Sequence, residues 1–162
     1  MSHVQKVWLR EGEAVKEPIQ YGGCGLDDIW LAGGYDLETI DGEPTITVRD
    51  LDGLLAAIGR SLVQRKKLLT GKEIRFLRRQ MDLTQSELAR LVGCDAQQIA
   101  RYEKGQNKMA GPTDRLIRML YREHLRDQIS IRDVLEALDA LDGRLGDKQV
   151  FTATPGGWRS AA

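Results

Sequence analysis

The 162-residue sequence predicts a mostly α-helical protein with a small α+β N-terminal domain. Three observations carry this. Between 19 and 49, β-favouring runs alternate with glycine-containing turns, as in a short antiparallel sheet. From 50 to 142, apolar residues recur at helical spacing in six stretches. Two of those stretches open on Thr-x-x-Glu, at Thr70–Glu73 and Thr84–Glu87, where each side chain satisfies the other residue's backbone N–H. The expected division is 1–69 for the sheet (about 19–49) and one helix (about 50–66), 70–142 for five helices, and 143–162 for a tail.

The first fifteen residues show no pattern. IWLA (29–32), YDLETI (35–40) and TITVR (45–49) are the candidate strands, separated by Gly33-Gly34 and by Asp41-Gly42-Glu43-Pro44, a strong hairpin signal. Trp30 and Tyr35 are expected to pack the face of this sheet. Asp50 can cap the next helix, whose stripe is Leu51, Leu54, Leu55, Ile58 and Leu62. Gly53 and Gly59 weaken that helix, so tertiary packing must hold it. Arg65-Lys66-Lys67 at its end suit the helix dipole and equally suit phosphate.

The first helix after Thr70 turns Ile74, Leu77 and Met81 inward. In the helix after Thr84, Leu88, Ala89, Leu91 and Val92 form the inward side, and Gly93 supplies a turn residue that tolerates positive φ. Asp95 can cap the following helix, 96–104, with Ile99 and Tyr102 inward and Gly105 closing it. Pro112 suits the first position of a further helix, where Leu116, Ile117, Leu120 and Tyr121 close the core. A last helix runs from Ser130 to about Asp142. Its stripe of Ile131, Val134, Leu135, Leu138 and Leu141 must be buried on this domain or on a second subunit. Residues 143–162, with Gly146, Pro155, Gly156 and Gly157, read as flexible.

Two short helices joined by so tight a turn cross steeply, which is a helix-turn-helix. The second helix then presents Ala96, Gln97, Gln98 and Arg101 away from the core. Glutamine and arginine make bidentate hydrogen bonds to adenine and guanine edges in the major groove of DNA.

The residues Leu83-Thr84-Gln85, Leu88-Ala89, Gly93, Ile99 and Arg101-Tyr102-Glu103-Lys104-Gly105 resemble the XRE/Cro-type helix-turn-helix of bacterial and phage regulators. The RYEKG string and the basic loop after it look closest to the C-terminal half of MqsA/YgiT-type antitoxins. The resemblance covers about 70–126 and implies a five-helix Cro/repressor-like domain. It implies base reading by Gln97 and Arg101, with Ala96 against a thymine methyl and Gln98 in a position whose role varies across the family. Thr84, Gln85, Lys104, Asn107 and Lys108 match phosphate-contacting positions, and Arg78 and Glu103 match an ion pair that braces two helices. Relatives bind as two-fold dimers on palindromes, so a homodimer is implied, with the final helix or the sheet as its surface.

Charge supports the division of labour. The whole chain is balanced at 24 basic and 24 acidic side chains, but 70–126 holds 12 Lys/Arg against 7 Asp/Glu, while 1–50 holds 4 against 10. A basic middle fits phosphate contact; an acidic front does not. Cys24 and Cys94 lie far apart without a CxxC pair, so zinc is not expected, nor any other cofactor. This departs from the antitoxins, whose N-terminal domain binds zinc through paired CxxC motifs, and toxin binding is therefore not inherited. The sheet can still serve a protein partner, with Tyr21, Trp30 and Tyr35 as anchors. His3, His124 and Asp27-Asp28 offer no nucleophile, base or metal set, which argues against an enzyme. No apolar run reaches the length of a membrane span and no signal-peptide core is visible, so a soluble cytoplasmic protein is expected. The expected function is a sequence-specific, homodimeric transcriptional repressor. The competing reading is an antitoxin that binds a toxin and represses its own operon.

Overall fold

The computed structural model describes residues 5–7 (backbone only), 17–66, 68–128, 130–141 and 148–161. The fold is mostly helical with a small α+β N-terminal part, and it divides into two units: Met1–Ile58 with Gly146–Ala162, and Gly59–Leu145.

The first unit contains two sheets. One is antiparallel, in the order β1 (Gln5–Val7), β4 (Tyr35–Ile40), β5 (Glu43–Val48). Asp41 and Gly42 join β4 to β5 with φ of 52° and 84°. Two positive φ values in a two-residue loop match the twist of the flanking strands, which is why Asp-Gly marks a hairpin. The other sheet has the order β2 (Ile19–Gln20), β3 (Ile29–Leu31), β6 (Gln149–Thr154), β7 (Gly157–Ser160).

This arrangement corrects two expectations. The IWLA strand does not pair with YDLETI, because Gly33 and Gly34, with φ of 143° and 80°, carry the chain from one sheet to the other. Nor is 143–162 a tail throughout. Residues 149–160 form a hairpin whose β6 runs parallel to β3, with Leu31 opposite Phe151, and both of those side chains are fully buried. The Pro155-Gly156 pair that suggests a linker is the hairpin turn. Trp158 on β7 donates its indole N–H to the carbonyls of Arg49 (3.2 Å) and Asp50 (3.1 Å). Its ring lies where a Cβ on Gly34 would come within 2.6 Å of it, so that position needs glycine for space as well as for φ.

Helix α1 (Leu51–Arg65) starts in the first unit and ends in the second. Asp50 caps it by accepting the Gly53 N–H at 3.1 Å. Leu54, Ile58 and Leu62 are buried, whereas Leu51 at the first position is exposed.

In the second unit the helices are α2 (Gly71–Gln80), α3 (Gln85–Val92), α4 (Ala96–Glu103), α5 (Gly111–His124) and α6 (Ile131–Ala140). Helices α2 and α3 each pack against α4 and α5. Ile74, Leu77, Leu88, Ile99, Ile117 and Tyr121 are buried. Leu91 is 49% exposed rather than inward, since it lies two residues, roughly 200°, round the helix from the buried Ala89. Met81 is the half-buried C-cap of α2. Pro112 occupies the second position of α5, and Leu116 faces outward.

The inner face of α5 holds two arginines that hydrophobic periodicity does not anticipate, Arg118 and Arg122. Arg118 is fully buried: it pairs with Asp114 at 2.7 and 3.1 Å and donates to the carbonyls of Leu62 and Val63 at 3.2 Å. Those carbonyls lie in the last turn of α1, where no intrahelical donor remains for them. Gly59 is likewise a fitted position rather than a weakness, because a Cβ there would overlap the Tyr121 hydroxyl. Burial pushes that phenol up to about 12. On α6, Val134 and Leu138 are buried while Ile131 stays 63% exposed.

Candidate nucleic-acid interface

The turn between α3 and α4 follows directly from its residues. Gly93 adopts φ 78° at the C-cap of α3, and the N–H groups of Gly93 and Cys94 both donate to the Ala89 carbonyl. Asp95 then accepts the Gln98 N–H at 2.8 Å and starts α4. At its far end Gly105, with φ 69°, stops the helix, and the Gln106 N–H donates to the Arg101 carbonyl. Thr84 and Glu87 form the reciprocal cap of α3, at 2.7 and 3.1 Å.

Inward, α4 buries Ile99 and Tyr102; outward, it presents Gln97 and Arg101, one turn apart and both exposed, with Ala96 and Gln98 half-buried beside them. Lys104 at the C-cap and Asn107 and Lys108 in the next loop are exposed. Thr84 is exposed and Gln85 half-buried at the start of α3.

Arg78, Glu103 and Gln85 form one network. Arg78 Nη2 donates to Glu103 Oε2 at 3.1 Å, Arg78 Nη1 donates to the Leu83 carbonyl at 2.8 Å, and Gln85 Nε2 donates to the same Glu103 oxygen at 2.9 Å. α2, the start of α3 and the end of α4 are thereby tied through one carboxylate. Periodicity does not reveal the Gln85–Glu103 bond, whose partners stand 18 residues apart. Gln85 is thus engaged within the protein, which leaves the N–H groups of Gln85 and Ser86, without intrahelical acceptors, as the donors available to an anion there.

Burial alone would raise the pKa of Glu103, but the hydrogen bonds from Arg78 and Gln85 and the Arg78 charge outweigh it and hold it below its ordinary value of 4.5. On acidification the unfolded chain takes up this proton first. The carboxylate's contribution is therefore intact above 4.5 and is lost as pH falls through the lower, folded value. Glu103→Gln should lower the melting temperature at neutral pH and flatten its decline below about pH 4.5. Melting curves across that range are the check, and an unchanged acid slope would remove Glu103 from the brace.

Residues 74–113, from the first turn of α2 to the start of α5, match the family model described as helix-turn-helix. This segment is similar to helix-turn-helix modules of the XRE type. Modules of the XRE type are DNA-binding elements of transcriptional regulators and are typically non-enzymatic. No curated protein and no solved structure matches the chain.

Outside the helix-turn-helix, Tyr35 is buried in the first unit, which leaves it no surface for a partner. Trp30 is half-buried beneath Lys148, whose Nζ stands 4.0 Å from the ring centroid, and Tyr21 is half-buried. Asp28 accepts a hydrogen bond from Gln149 at 3.0 Å, and His124 stacks at a tilt on Tyr121. His3 lies outside the described residues, as does Lys67. Lys66 pairs with the buried Glu73 at 3.1 Å. Both cysteines are free thiols, and burial raises the pKa of each. Among the described residues no cluster of His, Cys, Asp and Glu is placed to hold a metal, and no helix is long and apolar enough to cross a membrane.

Proposed function

We propose that the protein is a sequence-specific transcriptional repressor that binds a palindromic operator as a homodimer, in the cytoplasm where its DNA lies. The observation that carries this is the outward pair Gln97 and Arg101 on a helix braced from behind by the Arg78–Glu103–Gln85 network. A base-reading helix has to be held rigidly, because bidentate bonds tolerate little misplacement. Gln97 and Arg101 read base edges, Ala96 and Gln98 flank them, and Lys104, Asn107, Lys108, Thr84 and the start of α3 at Gln85 follow the phosphates. One module covers few base pairs. A two-fold dimer sets two such helices about 34 Å apart, and the exposed Ile131 supports α6 as its seam.

The test is binding to the DNA upstream of its own gene, against a scrambled duplex, across a salt series. Arg101→Ala should keep the fold and lose roughly 1–3 kcal/mol of preference for the operator. Lys108→Ala should weaken binding to both duplexes and reduce the salt slope by about one. A variant lacking Arg101 that still prefers the operator would sink the reading of α4. The antitoxin reading rests on the Arg101–Gly105 string; a toxin gene adjoining this one, whose product co-purifies with the chain, would favour it.

A further inference from the structure

The second unit carries a partly open pocket of about 480 Å³ behind the presented face of α4, within the roughly 300–1,000 Å³ range of small-molecule sites. Its wall is largely apolar, from Leu69, Ile74, Tyr102, Met109 and Leu138, with Leu68 44% exposed as a further lining residue. The backbone closes tightly here, since a Cβ on Gly71 would stand 2.5 Å from the carbonyl oxygens of Tyr102 and Glu103. Three charged groups line the space: Asp114, Lys108 and Arg115. Both carboxylate oxygens of Asp114 are taken by Arg118. Among the described residues neither Lys108 nor Arg115 has an ionic partner. The cavity therefore combines an apolar body with two uncommitted cations.

We propose that this cavity binds a small carboxylate with an apolar body, and that its binding releases DNA. The lining supplies what each part of such a molecule needs: apolar side chains for the body and two cations for the charge. Release follows from Lys108, which cannot hold a ligand carboxylate and a duplex phosphate together, and from Tyr102, through which an occupant touches the helix that reads bases. The release step rests on the DNA-binding reading; the cavity and its ligand class do not.

Octanoate and octanol, titrated into the full chain without DNA and followed by calorimetry, separate charge from apolar bulk. Octanoate should bind about tenfold more tightly than octanol, since one charge-assisted contact accounts for that factor. Arg115→Gln combined with Lys108→Gln should erase the preference, while Leu138→Phe, which fills the space and keeps both cations, should weaken both probes. Octanoate should then lower affinity for the upstream duplex about tenfold, and the duplex should weaken octanoate by the same factor. Equal binding of the two probes, a preference that survives the loss of both cations, or binding indifferent to Leu138→Phe would overturn the site. Octanoate binding that disappears as the protein dimerises would assign the cavity to a second copy instead. Octanoate bound with DNA affinity unchanged would overturn the release step. A chain that binds octanoate but no DNA would sink the regulator reading while the cavity stands.

Discussion

Arg118→Ala is expected to destabilise the helix-turn-helix unit by about 3–5 kcal/mol, a large part of the roughly 5–15 kcal/mol that holds a typical domain. The guanidinium is fully buried and serves two partners at once, the Asp114 carboxylate and the last-turn carbonyls of α1. Truncation leaves Asp114, itself only 14% exposed, as an uncompensated charge, and strands two carbonyls. Arg118→Lys restores charge without the planar fork and should recover only part of the loss. Removing both charges with Arg118→Met and Asp114→Leu should cost less than Arg118→Ala alone, because the penalty lies in the unpaired ion and not in the missing attraction. Urea unfolding of the four proteins decides this. A loss below about 1 kcal/mol for Arg118→Ala would mean that water replaces the guanidinium and that the arginine does not organise the packing.

Phe151→Ala should cost about 3–5 kcal/mol in the first unit. Its side chain is fully buried on β6, opposite the equally buried Leu31, and its carbonyl accepts the Ala32 N–H at 2.9 Å. The backbone amides of β3 and Ala32 should lose protection against hydrogen exchange in the variant, with α4 unaffected. A residue in a loose tail would show neither effect. Unchanged melting together with unchanged exchange at Ile29–Leu31 would therefore remove the C-terminal hairpin from the fold.

These two residues mark where sequence reasoning ends. Caps and turns are legible in the sequence because their physics is local. The capping boxes at Thr70 and Thr84, the left-handed Gly93, the Asp95 cap and the Asp41-Gly42 hairpin each involve groups a few residues apart, so residue type and spacing determine them. The outward placement of Gln97 and Arg101 follows as well, because Ile99 and Tyr102 set the inward face of the same short helix. By contrast, the Pro155-Gly156 turn looks the same in a linker and in a hairpin, and the partner strand of β6 is at the other end of the chain. The β-favouring VFTAT and WRS runs were the one available signal for those strands.

Polar burial was hidden for a related reason. Arg118 and Arg122 sit on the inner face of α5, where periodicity reads charge as solvent-facing. Only a carboxylate one turn away and the carbonyls ending another helix make that burial affordable for Arg118. Gln85 reads as a residue aimed at phosphate until Glu103 is brought within 2.9 Å of it. The sequence by itself determined the helices, most of their caps, the tight turn and the outward face of α4, since those depend on contacts within about one or two turns of chain. Tertiary structure alone decided which sheet each strand joins, which arginines are interior, what braces α4 and where the cavity lies. Each of these depends on groups that are distant along the chain and that share a hydrogen bond or a packed surface only once it has folded.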